Sequence, residues 1–266
     1  MRRPVVAGQF YPSNPRTLKK DIKSYFSGIE ISPDQAITGA VVPHAGHMYS
    51  GRTAAQVYAV LPEADTFVII GPNHTGYGSA VAMSSDAWST PLGDVDIDTD
   101  LVESLPRRII DVDESAHIYE HSIEVQIPFL QTRFHDFKIV PICMGLQDEE
   151  TAREVSIELM DTLQETDKKI VVIASSDFTH YKPAAVAYDT DHYVIEPLLE
   201  LNVTEFYSRI RERNASICGY GPIAVMMRLC RGLGANSGRL LAYSNSGDVQ
   251  PMAEVVGYAG IVVGSW

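Results

Sequence analysis

Three apolar stretches of this chain each run straight into a polar turn that carries histidine. Residues 39–42 lead into Pro43-His44, residues 67–70 into Gly71-Pro72-Asn73-His74, and residues 170–174 into Ser175-Ser176-Asp177-Phe178-Thr179-His180. A neutral imidazole is a ligand for divalent metals and, near neutral pH, a proton donor or acceptor. The stretches are short, rich in β-branched residues and bounded by Gly, Pro, Asn and Ser, so they read as buried strands. Open α/β sheets gather ligands just beyond the carboxyl ends of their strands. His44, His74, Asp177 and His180 are therefore expected on one rim, as a metal or catalytic site.

Each turn carries its own chemistry. Pro43-His44-Ala45-Gly46-His47 offers two imidazoles separated by small residues that let a ligand approach the backbone. If the strands before His44 and His74 are parallel neighbours, their ends lie about 5 to 10 Å apart, which suits one metal ion. In the third turn Ser176 or Asp177 can cap a helix, or Asp177 can fix the tautomer of His180 so that this imidazole moves protons; the two roles can coexist. His117-Ile118-Tyr119-Glu120-His121 matches the HxxEH pattern of inverted zinc peptidases, which must lie in mid-helix to aim both histidines at one metal. Asp113, Glu114 and Ser115 just upstream read instead as a helix entry, leaving His121 and Glu124, one turn apart, as candidates for the wall of the site. Cys218 sits in a glycine-rich turn before a helix whose first residue is expected to be Pro222. That position stabilises thiolate and makes Cys218 a candidate ligand or nucleophile. Cys143 and Cys230, inside apolar runs, read as core.

The elements that must position these groups alternate along the chain. A helix is expected over 15–26, where Leu18, Ile22 and Phe26 recur every fourth residue; strands over 40–43 and 67–71 flank a helix over 53–61. Alternation at 80–83 and 95–97 suggests a hairpin or short antiparallel addition. Helix 122–134, strand 138–143, helix 149–163 and strand 170–174 follow. Helices near 189–199, 203–211 and 222–230 and strands 239–244 and 254–263 close the chain. The fold class is α/β: a single domain over 1–266 with a mixed, mostly parallel central sheet flanked by helices.

Composition narrows the function. Hydrophobic residues at 45% and charged residues at 21% are ordinary for a globular protein, and no linker divides the 266 residues. A formal net charge of −13 argues against nucleic acid or an anionic membrane as a general partner, and leaves room only for a local basic pocket. The acidic stretches 111–120 and 148–165 read as solvated helical faces. Met1-Arg2-Arg3-Pro4 is not followed by an apolar signal region, and three cysteines without CxxC spacing make a disulfide framework improbable, so a reducing cytoplasm is the default.

Taken in order, Ala7-Gly8-Gln9-Phe10-Tyr11-Pro12, Pro43-His44-Ala45-Gly46, Gly71-Pro72-Asn73-His74, Glu120-His121-Ser122-Ile123-Glu124, Ser175-Ser176-Asp177-Phe178-Thr179-His180 and Cys218-Gly219-Tyr220-Gly221-Pro222 resemble the Memo family over nearly the whole chain. The resemblance implies a fold similar to class III extradiol dioxygenases, which hold non-haem Fe(II) with two histidines and a carboxylate. By motif, His44 and His74 would be metal histidines, His180 the acid or base beyond the ligands, and Cys218 would stand where the dioxygenase has its glutamate. Thiolate for carboxylate keeps the ligand charge but softens the site, so Cu or Zn competes with Fe(II). The implied function is a metal-dependent oxidoreductase on a small-molecule substrate, with His180, His121 and Asp177 as catalytic groups. The alternative is a non-enzymatic module that takes a peptide or phosphopeptide in the same cleft, since eukaryotic relatives are associated with phosphotyrosine peptide recognition and motility signalling. Metal-assisted hydrolysis has only the HxxEH pattern behind it.

Overall fold

The computed structural model describes residues 1–266. Helix α1 (Pro15–Tyr25), strand β1 (Ile37–Val42), helix α2 (His47–Val60) and strand β2 (Thr66–Pro72) open the chain. Strands β3 (Val81–Met83), β4 (Trp88–Thr90) and β5 (Gly93–Val95), helix α3 (Thr99–Ser104), β6 (Asp111–Val112) and helix α4 (Ile127–Arg133) come next. They are followed by β7 (Lys138–Met144), α5 (Glu149–Leu163), β8 (Ile170–Ser175) and β9 (His180–Lys182). Helices α6 (Ala184–Leu199), α7 (Val203–Arg213) and α8 (Tyr220–Gly232) precede the long strands β10 (Ser237–Asn245) and β11 (Val255–Gly264).

The main sheet runs β10-β11-β1-β8-β2-β7-β3-β6. Its centre, β1, β8, β2 and β7, is parallel, with Val42 opposite Ser175 and Ile70 opposite Ala174. β11 lies antiparallel to β1 and β10, and β3 antiparallel to β7, so the sheet is mixed as expected. Central parallel strands are covered by helices on both faces and need apolar side chains on both, which Val171, Val172, Ile173 and Ala174 supply. β8, the later strand, is inserted between β1 and β2, which are therefore not the direct neighbours that their sequence order suggests.

Four further departures have physical reasons. Helix α2 begins at His47, not at residue 53, because its first turn is buried through small and polar residues, Ser50, Gly51 and Thr53, that carry no apolar period. Gly51 is required there: a Cβ would lie 2.8 Å from the Tyr25 ring. The helix expected from residue 122 starts as a single 3₁₀ turn, Glu124–Gln126, and becomes α-helical at Ile127. The hairpin is β4 with β5, while β3 joins β7, so the 80–83 and 95–97 stretches do not pair with each other. Finally, 111–120 is not an acidic helical face but a short strand and a 3₁₀ turn ending in a buried Glu120. No helix is long and apolar enough to cross a membrane.

Candidate metal centre

The carboxyl ends of β1, β2 and β8 share one rim, and a carboxylate pins the backbone there. The His44 and Ala45 N–H groups donate to Asp177 Oδ1 at 2.8 and 3.3 Å, tying the turn after β1 to the turn after β8. The buried His44 ring sets its Nδ1 3.0 Å from Ser175 Oγ. The Ser175 hydroxyl donates to the Ser122 carbonyl at 2.6 Å and accepts from Gln126 Nε2 at 2.8 Å. The Pro43 carbonyl, 3.0 Å from the same nitrogen, fixes the orientation of the Gln126 amide. With its one proton committed, Ser175 Oγ can only accept from His44, so Nδ1 carries the hydrogen and Nε2 keeps its lone pair. Burial, reinforced by the neighbouring His121 and His74 charges, holds His44 well below the usual histidine range and therefore neutral.

His74 and His121 are set by one carboxylate. Glu120, buried, accepts the His74 N–H at Oε2 (2.5 Å) and His74 Nδ1 at Oε1 (2.9 Å). Its Oε1 also accepts the N–H groups of His121 and Ser122 at 2.8 and 2.9 Å and stands 3.4 Å from His121 Nδ1. Burial alone would push the Glu120 carboxyl up, but the hydrogen bond and charge of His74, the charge of His121 and the Ser122 N–H outweigh it and hold the group ionised below the usual range. His121 is lowered by burial against the opposing charge of Glu120, and the Phe10 ring packs 4.7 Å from it. Glu120 thus takes the Nδ1 hydrogen of His74 and leaves Nε2 free. The His74 ring centroid lies 5.2 Å from that of His44 and 4.8 Å from that of His121. One ring nitrogen from each of His44, His74 and His121 lies within 4.8 Å of the others.

Cys218 borders this group. Its sulfur is 3.1 Å from His44 Nε2 and accepts the Asp177 N–H at 3.2 Å, but it is not within the mutually close set formed by the three imidazoles. The turn can approach β8 only because residue 219 is glycine, whose Cβ would lie 2.5 Å from the Ser175 carbonyl. Burial, with the Asp177 charge, pushes the Cys218 thiol up, so without metal it is a protonated donor to His44. Burial also pushes Asp177 up to about 6, against the His44 N–H that stabilises its charge. His180 stands at the start of β9, half-buried, its Nδ1 donating to the Ser216 carbonyl at 2.7 Å. That carbonyl, and not Asp177 as the sequence suggested, fixes the His180 tautomer and frees Nε2.

Other candidates turn away. His117 is buried against Trp88 with Nε2 3.2 Å from the Ala82 carbonyl, and no helix carries the HxxEH segment, so the peptidase geometry is absent. His47 gives Nε2 to the Val125 carbonyl at 2.8 Å. Glu124 faces Arg2 (2.8 Å), the Tyr11 hydroxyl (2.6 Å) and the Val5 and Val6 N–H groups, clamping the N-terminal segment that carries Phe10. Ser175 and Gln126 carry no role in the sequence reading, and Glu120 enters it only as the glutamate of the HxxEH pattern. The one available signal was the position of Ser175 and Glu120 beside residues already singled out.

The family model of Memo-like proteins matches residues 2–262. A MEMO1 family protein of Methanosarcina barkeri is 57% identical over 265 residues, covering 99% of this chain and 100% of its own. One from Archaeoglobus fulgidus is 52% identical over 262 residues (98% and 99%), and one from Methanocaldococcus jannaschii is 45% identical over 283 aligned positions (99% of each).

Proposed function

The chain belongs to the Memo family, and from that premise we propose that it is a metal-dependent oxidoreductase whose iron or copper ion is held by His44, His74 and His121, with Cys218, which lies beside His44 outside their close set, moving in to complete the ligands. The observation that carries this reading is the free ring nitrogens. Three imidazoles, with the Nδ1 hydrogens of His44 and His74 committed to Ser175 and Glu120, bring one nitrogen each into a common space within 4.8 Å. Imidazole nitrogen and a soft sulfur are the donor set that iron, copper and zinc share and that magnesium and calcium do not. The donors present therefore fit a transition metal.

Such an ion, when bound, supplies redox and Lewis-acid chemistry. The chain's own residues do the rest. Glu120 orients His74 and His121 and offsets the charge of the centre from outside it. Ser175 and Gln126 keep His44 in one tautomer. His180, with Nδ1 spent on Ser216, presents Nε2 as the acid or base for a small substrate. Cys218 gives up its proton to act as a ligand, which requires the metal's charge because burial otherwise keeps the thiol protonated.

Elemental analysis of protein purified without oxygen, followed by oxygen-uptake and spectroscopic assays, tests this. About one iron or copper per chain, lost together with redox chemistry in His44→Ala, is expected. Stoichiometric zinc with no redox change would overturn the oxidoreductase. Peptide binding that survives metal removal would favour a binding module.

A further inference from the structure

At the far side of the molecule, a cavity of about 510 Å³ opens between α5, α7 and α8. Its polar wall is Arg228 and Arg231 of α8, Ser156 of α5 and the Asn202–Thr204 start of α7. Its apolar wall is Ile157, Met160, Leu201 and Val203. In a chain of net charge −13, no acidic residue lines it. Arg228 Nε is buried without a hydrogen-bond partner, and the nearest carboxylate to that guanidinium, Glu149, stands 3.7 Å from Nη2 and is also engaged by the Thr204 hydroxyl at 2.8 Å. The adjoining recess shares Arg231 and adds Glu200 on its outer side.

We propose that this cavity binds a phosphomonoester. The phosphate sits between the Arg228 and Arg231 guanidinium groups and the Val203 and Thr204 N–H groups that open α7, the next N–H being capped by Asn202, and the organic part rests on the apolar wall. Each half has its own reason. Guanidinium forks and helix-start N–H groups match phosphate oxygens in geometry and charge. A bare inorganic ion would leave most of a cavity this size, including Ile157, Met160, Leu201 and Val203, without contact. Arg231 also complements the dipole at the end of α8, a role that needs no ligand. This site is independent of the metal centre, which lies beyond the opposite end of α8.

Calorimetric titration of the full chain with inorganic phosphate and with phenyl phosphate, at ionic strength held constant with sodium chloride, tests the proposal. Saturable binding of both is expected, phenyl phosphate the tighter. Arg231→Gln, an exposed change, should weaken both about tenfold, and Arg228→Gln with Arg231→Gln should abolish saturation. If the double variant does not fold, the single one decides. Equal affinity for the two probes would overturn the ester and leave free phosphate. Binding unchanged by Arg231→Gln, or no saturation in the wild type, would overturn the site. Binding lost in His44→Ala but kept in Arg231→Gln would move it to the metal centre.

Discussion

The histidines at the rim and those in the layer beneath it have the same short spacings and opposite fates. His44 and His47 lie three residues apart, His117 and His121 four. In each pair one imidazole faces the shared space and the other is buried with Nε2 spent on a backbone carbonyl, Val125 for His47 and Ala82 for His117. The buried pair keeps an unpartnered Nδ1 sealed in the core, whereas His44 and His74 spend Nδ1 on Ser175 and Glu120 and keep the Nε2 lone pair. What leaves a ring nitrogen available here is therefore the group behind the ring, not the histidine or its spacing.

The sharpest way to break this contrast is to remove imidazoles from one layer at a time. His44→Ala with His74→Ala should lower affinity for a transition metal by about 10³-fold or more. His47→Gln with His117→Gln should keep it, since glutamine can still donate to the Val125 and Ala82 carbonyls. Parallel metal titrations of the two double variants check this; equal loss in both would erase the distinction. Glu120→Gln comes next, because the amide cannot hold both imidazoles with a negative charge. Metal affinity should fall towards about 100-fold, with the fold intact by circular dichroism.

A smaller effect separates the layers by pH. Burial lowers His47 and His117 to about 4, against about 6.5 in the unfolded chain. A depressed folded pKa contributes stability that is fully present above about 6.5 and is lost as pH falls towards 4. Between pH 7 and 5 each should cost about 2 kcal/mol. Urea denaturation of metal-free protein should accordingly show His117→Gln losing about 2 kcal/mol less than wild type over that range. The smallest change expected is in Ser175→Ala, which frees the His44 tautomer and should weaken metal binding about tenfold, measurable by competition with a chelator.

How much of this could be read without a structure depended on range. His44 and His74 were legible because each ends an apolar run, a local pattern that also gave most strands and the α5 helix over 149–163. The insertion of β8 between β1 and β2 was not legible, because it joins residues more than 100 apart in the chain through backbone pairing that leaves no local mark. Glu120 was hidden among surface acids, and its burial follows only from the Arg2 and Trp88 contacts that fold the N-terminal segment over the 117–124 loop. Gln126 looked like one polar position in an amphipathic run. Its role depends on carbonyls from β1 that sequence does not bring near it.

X-ray absorption at the metal edge of protein loaded with one equivalent of iron or copper tests the centre most directly. The expected result is the outer-shell scattering of three imidazoles together with one sulfur at about 2.3 Å, the distance typical of metal–thiolate bonds. A first shell of oxygen alone, without imidazole scattering, would contradict it.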